Sequence, residues 1–438
     1  MGKSEGSTGF RYRYVIVGML FFAAMMNYID RNTLPVVAPL VAKELNFNPA
    51  EMGVIFSAFF MGYVAFCFIG GASSDWLGVK KVYALAMSVW SLFCGMTIVA
   101  TGFTSLLIYR VIFGMGEGPM ASVSNKMIRD WVPREEVGRT LAVAIHIGNS
   151  VGAGAAGPLV GLLVIGSNWR IPFIVVTLVG FAWVAAWAWF ATDTPATNRF
   201  VSPSELKLIE SSRAAHAAST GAGDEHGVGH YLAMPAILAV AAGFFGSNYI
   251  NYYIASWMPS YLMDVQHVAL KNAALMVAVP PMMGVLGNLV GGFGGDWLPR
   301  KTSAPILSCK IIVIVGLVVS ACSLAAVNSV TTVNGALVLL STARFFESMV
   351  PVNCWLLVQE LVPQSRTGAV GGYMHMLSNT SGIIGPAATG FMIQYTGAYG
   401  LSFLVAGGLV IAGALAVLLF VRTPRAAASR RATDREAE

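Results

Sequence analysis

The sequence predicts an all-α membrane protein of twelve transmembrane helices in two six-helix halves. Three observations lead there. The chain is 56% hydrophobic and only 11% charged over 438 residues, where a soluble domain carries about 25% charged residues. It offers twelve apolar runs long enough to cross a bilayer, which takes roughly 20 residues as a helix. It also repeats itself across its middle. The runs are continuous rather than alternating, which excludes a strand-built barrel. A soluble enzyme of this size could not hide so much apolar surface.

The runs fall at residues 14–42, 52–73, 82–101, 104–126, 140–164 and 171–191, then at 232–262, 272–295, 303–326, 332–356, 368–394 and 399–421. The first is expected to be an uncleaved anchor: it is too long for a signal core and has no small-residue cleavage site. Nineteen of the 27 Lys and Arg residues lie in the termini and even-numbered loops, against three (Lys43, Arg170 and Lys271) in the opposite loops. This bias predicts a multi-pass protein of the inner (cytoplasmic) membrane with both termini in the cytoplasm. It also accounts for the net charge of +6 without nucleic acid. The expected organisation is an N-terminal half at 1–191, a cytoplasmic linker at 192–231, a C-terminal half at 232–421 and a basic tail at 422–438. In the linker, SPSELKLIESSRAA reads as a short surface helix starting near Ser202 or Ser204, and STGAGDEHGVGH reads as flexible. His226 and His230 there are read as solvated rather than metal-binding. The cysteines (Cys67, Cys94, Cys309, Cys322 and Cys354) are spaced as core filler, with no disulfide or metal pattern.

The two halves share a string. GGASSDWLGVKK at 70–81 follows the second run, and GGFGGDWLPRK at 291–301 follows the eighth, an offset of 221 residues. A weaker pair joins Arg110, WVPREEVGRT and a Gly-Pro to Arg344, LVPQSRT and a Gly-Pro. Internal repeats in a polytopic helical protein point to a transporter with a midplane site between the halves.

The G-x-x-x-D-x-x-G-x-K-K loop between the second and third runs, with six plus six spans, resembles the signature of the major facilitator superfamily. The Arg that usually follows the Asp is Trp76 here, and Trp297 in the second copy. Within the superfamily the chain resembles the anion:cation symporter family. The matching pieces are NYIDRN (27–32), FSAFFMGY (56–63), RVIFGMGEGP (110–119), WMPSYL (257–262) and SNTSGIIGP (378–386). The resemblance implies the major facilitator fold and transport of sugar acids or other organic anions. It also implies that Asp30 and Glu117 are protonation sites, that Tyr63 faces substrate and that Asn379 contacts it. Asn149 stands where sugar-acid members often have Gln.

The residues support these roles independently. A charge at the bilayer centre costs at least about 2.5–3.5 kcal/mol, so it persists only with a partner or a cavity. Asp30 and Arg31 are neighbours and diverge by about 100° on a helix. Arg31 is therefore expected to grip a carboxylate through paired hydrogen bonds, and Asp30 to carry a coupling proton. Arg110 and Glu117, about two turns apart, are expected on one face, as a structural pair or as a proton site tuned by an arginine. Tyr28, Tyr63, Arg110, Asn149, Asn248, Tyr252 and Asn379 are the further candidate substrate contacts. His375 and His146 are read as structural, and so is an Arg344–Glu347 pair. Lys310 is expected to snorkel, and Asp75 and Asp296 to pair or cap in a gate.

The expected function is a secondary active transporter that imports a small organic anion (sugar acid, carboxylate or sulfonate) by proton symport. The alternating-access cycle would run in a monomer held in the lipid bilayer. No ATP-binding loop, cofactor fingerprint, metal site or nucleophile constellation is present. The alternatives are a proton-coupled exporter of drugs or cations, which calls for an acidic cavity without an anion-grasping arginine, and a channel.

Overall fold

The computed structural model describes residues 11–133, 136–164, 168–217, 227–302 and 304–422, and every regular element among them is helical. The first half comprises α1 (Arg13–Leu45), α2 (Pro49–Leu77), α3 (Val79–Met96), α4 (Phe103–Glu117), α5 (Met120–Trp131), α6 (Val137–Leu141), α7 (Gly148–Val164) and α8 (Ile171–Phe190). A linker helix α9 (Pro203–Ala217) and a short α10 (Val228–Leu232) follow. Then come α11 (Pro235–Asp264), α12 (Leu270–Met276), α13 (Val279–Thr302), α14 (Pro305–Ala326), α15 (Val333–Leu361), α16 (Gln364–Thr396) and α17 (Gly400–Phe420).

Nine helices among the described residues are long and apolar enough to cross a membrane. The expected runs at 104–126, 232–262 and 368–394 are helical too but fall outside that group. The first is split: Pro119 removes a helical N–H and ends α4 at Glu117 before α5 begins. The other two, α11 and α16, interleave Asn, Ser, Tyr, Thr and His with their apolar residues.

Local chemistry explains several boundaries. Asn48 and Glu51 form a reciprocal capping box at the start of α2, each side chain bonding the other's backbone N–H at 2.9 Å, with Pro49 in the first helical position. Helix α1 contains Pro35 and Pro39, which remove two internal hydrogen bonds just beyond Arg31. Between α6 and α7 the chain runs as a π-helix over Ala142–Ile147. Such widened turns are frequent at functional sites.

The chain divides into two compact units. One holds Met1–Gly223 with Ser256–Ala278, and the other holds Asp224–Ala255 with Val279–Glu438. In the first, α2 and α4 nearly touch. A side chain on Gly62 would meet the Val111 carbonyl at 2.0 Å, and one on Gly114 the Phe59 carbonyl at 1.9 Å. In the second, a side chain on Gly287 of α13 would meet the Phe345 carbonyl of α15 at 2.0 Å. Helices α3 and α14 both end in a single 3₁₀ turn. The repeat read in the sequence is thus a repeat of helix contacts.

Within the first unit α1 is fastened at both ends. At its start, Glu205 of α9 accepts the N–H of Tyr12 (3.0 Å) and of Arg13 (3.1 Å). The buried Arg13 guanidinium also meets Glu136 at 3.2 Å. At its far end, Glu44 binds Arg170 at 2.7 Å and the Trp169 indole at 2.6 Å. The returning end of α11 also packs here, Trp257 meeting Phe56 edge to face at 5.6 Å. In the second unit Lys310 donates to the carbonyls of Leu418 (2.7 Å) and Val421 (2.8 Å), satisfying orphan acceptors at the end of α17.

The turn between α2 and α3 is a single residue, Gly78, at φ +84°. A side chain there would also stand 2.7 Å from the Asp193 carboxylate. Gly78→Ala is expected to destabilise the protein by about 1–3 kcal/mol, read as a lower unfolding temperature in detergent. Gly18→Ala, in α1 where nothing lies within 4 Å, is the control and should not lower it, since Ala favours a helix interior over Gly.

Candidate functional site

Midway along α1 the first unit holds a buried ion pair built on one arginine. Arg31 of α1 donates from Nη2 (2.7 Å) and Nε (3.2 Å) to the same oxygen, Oε2 of Glu117 on α4. Its Nη2 also reaches Asn27 Oδ1 at 3.4 Å. The Glu117 side chain is fully buried and that of Arg31 is 11% exposed. The other Glu117 oxygen, Oε1, is buried without a hydrogen-bond partner.

Four aromatic rings enclose the guanidinium. Its carbon lies 4.6 Å from the Phe59 ring, 4.8 Å from Tyr63, 5.0 Å from Tyr28 and 5.9 Å from Phe60. Tyr63 stacks on Phe59 at 5.5 Å. Aromatic faces attract a cation without using its N–H donors, so the ring cluster holds Arg31 in place and leaves its hydrogen bonding to acids. Residues 56, 59, 60 and 63 recur at helical spacing, so this aromatic face was visible in the sequence. Only Tyr63 was singled out from it.

The expected same-face pairing of Arg110 with Glu117 does not form, because the ion-pair partner of Glu117 is Arg31. Seven helical residues separate Arg110 from Glu117 along the axis by about 10 Å, whereas the α1–α4 packing puts Arg31 level with Glu117. The buried Arg110 guanidinium lies over Phe59 at 5.1 Å and Phe113 at 5.0 Å, and its Nε has no partner. Phe59 thus lies against both arginines.

Asp30 is 1% exposed, and neither of its carboxyl oxygens has a hydrogen-bond donor. Trp90 of α3 and Glu117 are the neighbours that act on it. The indole N–H of Trp90 is itself buried and outside hydrogen-bond geometry. Trp90 was not picked out from the sequence, where one tryptophan in an apolar run carries no signal. A carboxyl group in such a place is neutral when it holds a proton, and an unpaired charge there costs several kcal/mol. Asn149, on α7 just past the π-helix, keeps a buried Oδ1 without a partner.

In the second unit Asn248, Tyr252 and Asn379 come together across α11 and α16. The Tyr252 hydroxyl donates to Asn379 Oδ1 at 2.5 Å, and Asn248 Nδ2 donates to Ser378 Oγ at 3.1 Å. Asn379 Nδ2 donates to the His375 carbonyl at 2.7 Å and lies 3.2 Å from its Nε2. His375 is therefore part of the same polar chain, between the Phe244 and Trp355 rings at 5.9 and 6.1 Å. Arg344 and Glu347 form a direct ion pair on α15. Ser247 of α11 donates to Glu347 Oε1 at 2.6 Å, a partner the sequence reading missed because it needs the α11–α15 contact. The side chains of Asp75 and Asp296, expected in a gate, lie outside the described residues. Among the described residues no group of three or more His, Cys, Asp or Glu could hold a metal ion.

Comparisons with known proteins agree with this architecture. The chain is 36% identical over 409 residues to the hexuronate transporter of Bacillus subtilis, covering 93% of this chain and 94% of that one. It is 30% identical over 419 residues to a protein of Cupriavidus necator named a probable sulfoacetate transporter, covering 93% of each. Among solved structures, a bacterial homologue of the human lysosomal transporter Spinster, inward-facing and occupied, superposes with a TM-score of 0.72 at 17% identity. That match covers 94% of this chain and 96% of that one, a likeness of fold. The family model of the Major Facilitator Superfamily matches residues 20–386. The chain belongs to the major facilitator superfamily, and it is a multi-pass membrane transporter rather than an enzyme.

Proposed function

We propose that this transporter imports a small organic anion, a hexuronate or a related sugar acid first among carboxylates and sulfonates, together with protons across the cytoplasmic membrane. The observation that carries the reading is the buried Arg31–Glu117 ion pair beside the donor-free carboxyl of Asp30. Glu117 occupies the guanidinium as a carboxylate would. When a proton neutralises Glu117, Arg31 loses its internal partner and presents its planar fork to the carboxylate of the solute. Anion and proton then bind together, because each removes a charge that the other would leave unpaired. Asp30 gives the first unit a second carboxyl able to exchange a proton. The polar chain of Tyr252, Asn379 and Asn248 supplies hydroxyl-matching donors and acceptors suited to a polyhydroxy acid. Asn149, with its unpartnered amide oxygen, is a further contact. The named substrates of the relatives, a hexuronate and sulfoacetate, are small organic anions. Alternating access in a monomer with both termini in the cytoplasm completes the reading, with Asp75 and Asp296 in a gate.

A drug or cation exporter is less well supported. Such a site would keep its acids open to a cationic ligand, whereas Glu117 here is engaged by an arginine.

Two outcomes are expected. Arg31→Ala together with Glu117→Gln, which avoids leaving one buried charge alone, should weaken binding of a hexuronate panel at least about 100-fold in a thermal-shift titration. Binding at wild-type strength would remove Arg31 from the anion site. In proteoliposomes, Glu117→Gln and Asp30→Asn should each abolish accumulation driven by an inward proton gradient. Glu117→Gln should retain exchange of labelled for unlabelled anion; normal accumulation by both variants would refute proton symport through these groups.

A further inference from the structure

We propose that the first unit carries a binding site for the headgroup of an anionic phospholipid where α2 and α8 leave the membrane. Two stretches meet there. Asp193, just past the end of α8, accepts the N–H of Lys80 at 2.8 Å and fills the space beside Gly78. The Trp187 indole donates to the Lys80 carbonyl at 3.1 Å. The α2–α3 turn and the chain after α8 are thereby one surface.

That surface carries Lys80, Lys81 and Arg199. None of the three forms an ion pair among the described residues. Asp193, the acid that joins the two stretches, is turned to a backbone N–H in the first turn of α3, where the helix dipole already answers its charge. Among the described residues the three cations are therefore left to an outside anion.

Aromatic rings fix its depth. Trp76, in the last turn of α2, is 89% exposed, and Trp189, in the last turn of α8, is 64% exposed. Tryptophans at the ends of membrane spans sit at the headgroup level. The Arg199 guanidinium lies 4.9 Å from the Trp189 ring and 4.6 Å from Phe200, so it is held at that level rather than extended into water. Three cations at headgroup depth, flanked by rings that lie along acyl chains, complement a lipid phosphate bearing net negative charge.

The second unit repeats the device independently. Trp297 occupies the place of Trp76 in the shared D-W-L string, is 55% exposed and carries the Lys301 ammonium 4.3 Å above its ring. Both units thus keep an exposed tryptophan in the last turns of α2 and α13, and in the second that tryptophan carries a cation.

The test uses the full-length purified protein. Wild type should bind phosphatidylglycerol, seen as retained lipid by native mass spectrometry and as a rise in unfolding temperature. It should not respond in this way to phosphatidylcholine. A cation near an anionic membrane surface contributes roughly a fivefold gain, so Lys80→Gln/Lys81→Gln/Arg199→Gln should bind phosphatidylglycerol on the order of 100-fold more weakly. Lys80→Arg/Lys81→Arg/Arg199→Lys, which keeps the charge, should bind like wild type and shows that the fold tolerates changes there. Equal phosphatidylglycerol binding by the neutral triple variant would overturn the proposal. So would an equal temperature rise with inorganic phosphate or glycerol phosphate, which would make the patch a site for free anions instead of a lipid.

Discussion

An arginine and a glutamate buried together in an apolar layer constrain everything around them. The Arg31–Glu117 pair is not a source of stability in itself. Removing two charges from water costs several kcal/mol each, and good geometry only offsets that cost. Removing one partner is a different matter, at about 3–5 kcal/mol. The surrounding structure reads as a device that keeps the two together. The break at Gly118–Pro119 leaves Glu117 as the last residue of α4. The glycine contacts between α2 and α4 bring Phe59, Phe60 and Tyr63 against the guanidinium. None of these features alone would hold Arg31; together they set its surroundings.

A pair so sensitive to geometry needs a rigid frame, and the frame is built at the helix ends. The first N–H groups of α1 have no partners of their own and are supplied by Glu205, a residue 193 positions after Tyr12. A carboxylate there also answers the positive end of the helix dipole. In the second unit the complementary arrangement closes α17, a lysine on its last carbonyls. Glu44, Arg170 and Trp169 fix the far end of α1. Arg31 and Asp30 thus sit midway along a helix fastened at both ends, so a change in their bonding is not absorbed by α1 sliding. It passes to the helices that contact them.

Much of this was legible in the sequence, for identifiable reasons. Helix positions follow from runs of apolar residues, which are local. The importance of Asp30 and Arg31 follows from two charges inside such a run, also local. The break at Pro119 that places Glu117 divides a run, 104–126, that reads as one span. What could not be read were relations across the fold. Arg110 shares a helix with Glu117, and Arg31 does not, yet Arg31 is the partner. Ser247 on Glu347 and Glu205 at the start of α1 likewise join residues 100 and more positions apart. The π-helix before Asn149 left no mark, because a widened turn uses the same residues as a regular one.

The regions where the membrane signal is weakest hold several of the candidate site residues, while Asp30, Arg31, Tyr63 and Asn149 lie in spans that keep it. The expected spans at 104–126, 232–262 and 368–394 are not among the nine strongly apolar helices. They hold Arg110, Glu117, Asn248, Tyr252, Asn379 and His375. The physical reason is general. A span that faces only lipid and apolar neighbours is free to be uniformly apolar. A span that must present an acid, an amide or a phenol to a solute dilutes its own apolarity, and a span that must bend there breaks its hydrogen-bond ladder. Function and a clean transmembrane signal compete for the same positions. In this chain the places where hydropathy falls short are therefore informative in themselves: they mark where polar groups are held inside the membrane despite their cost.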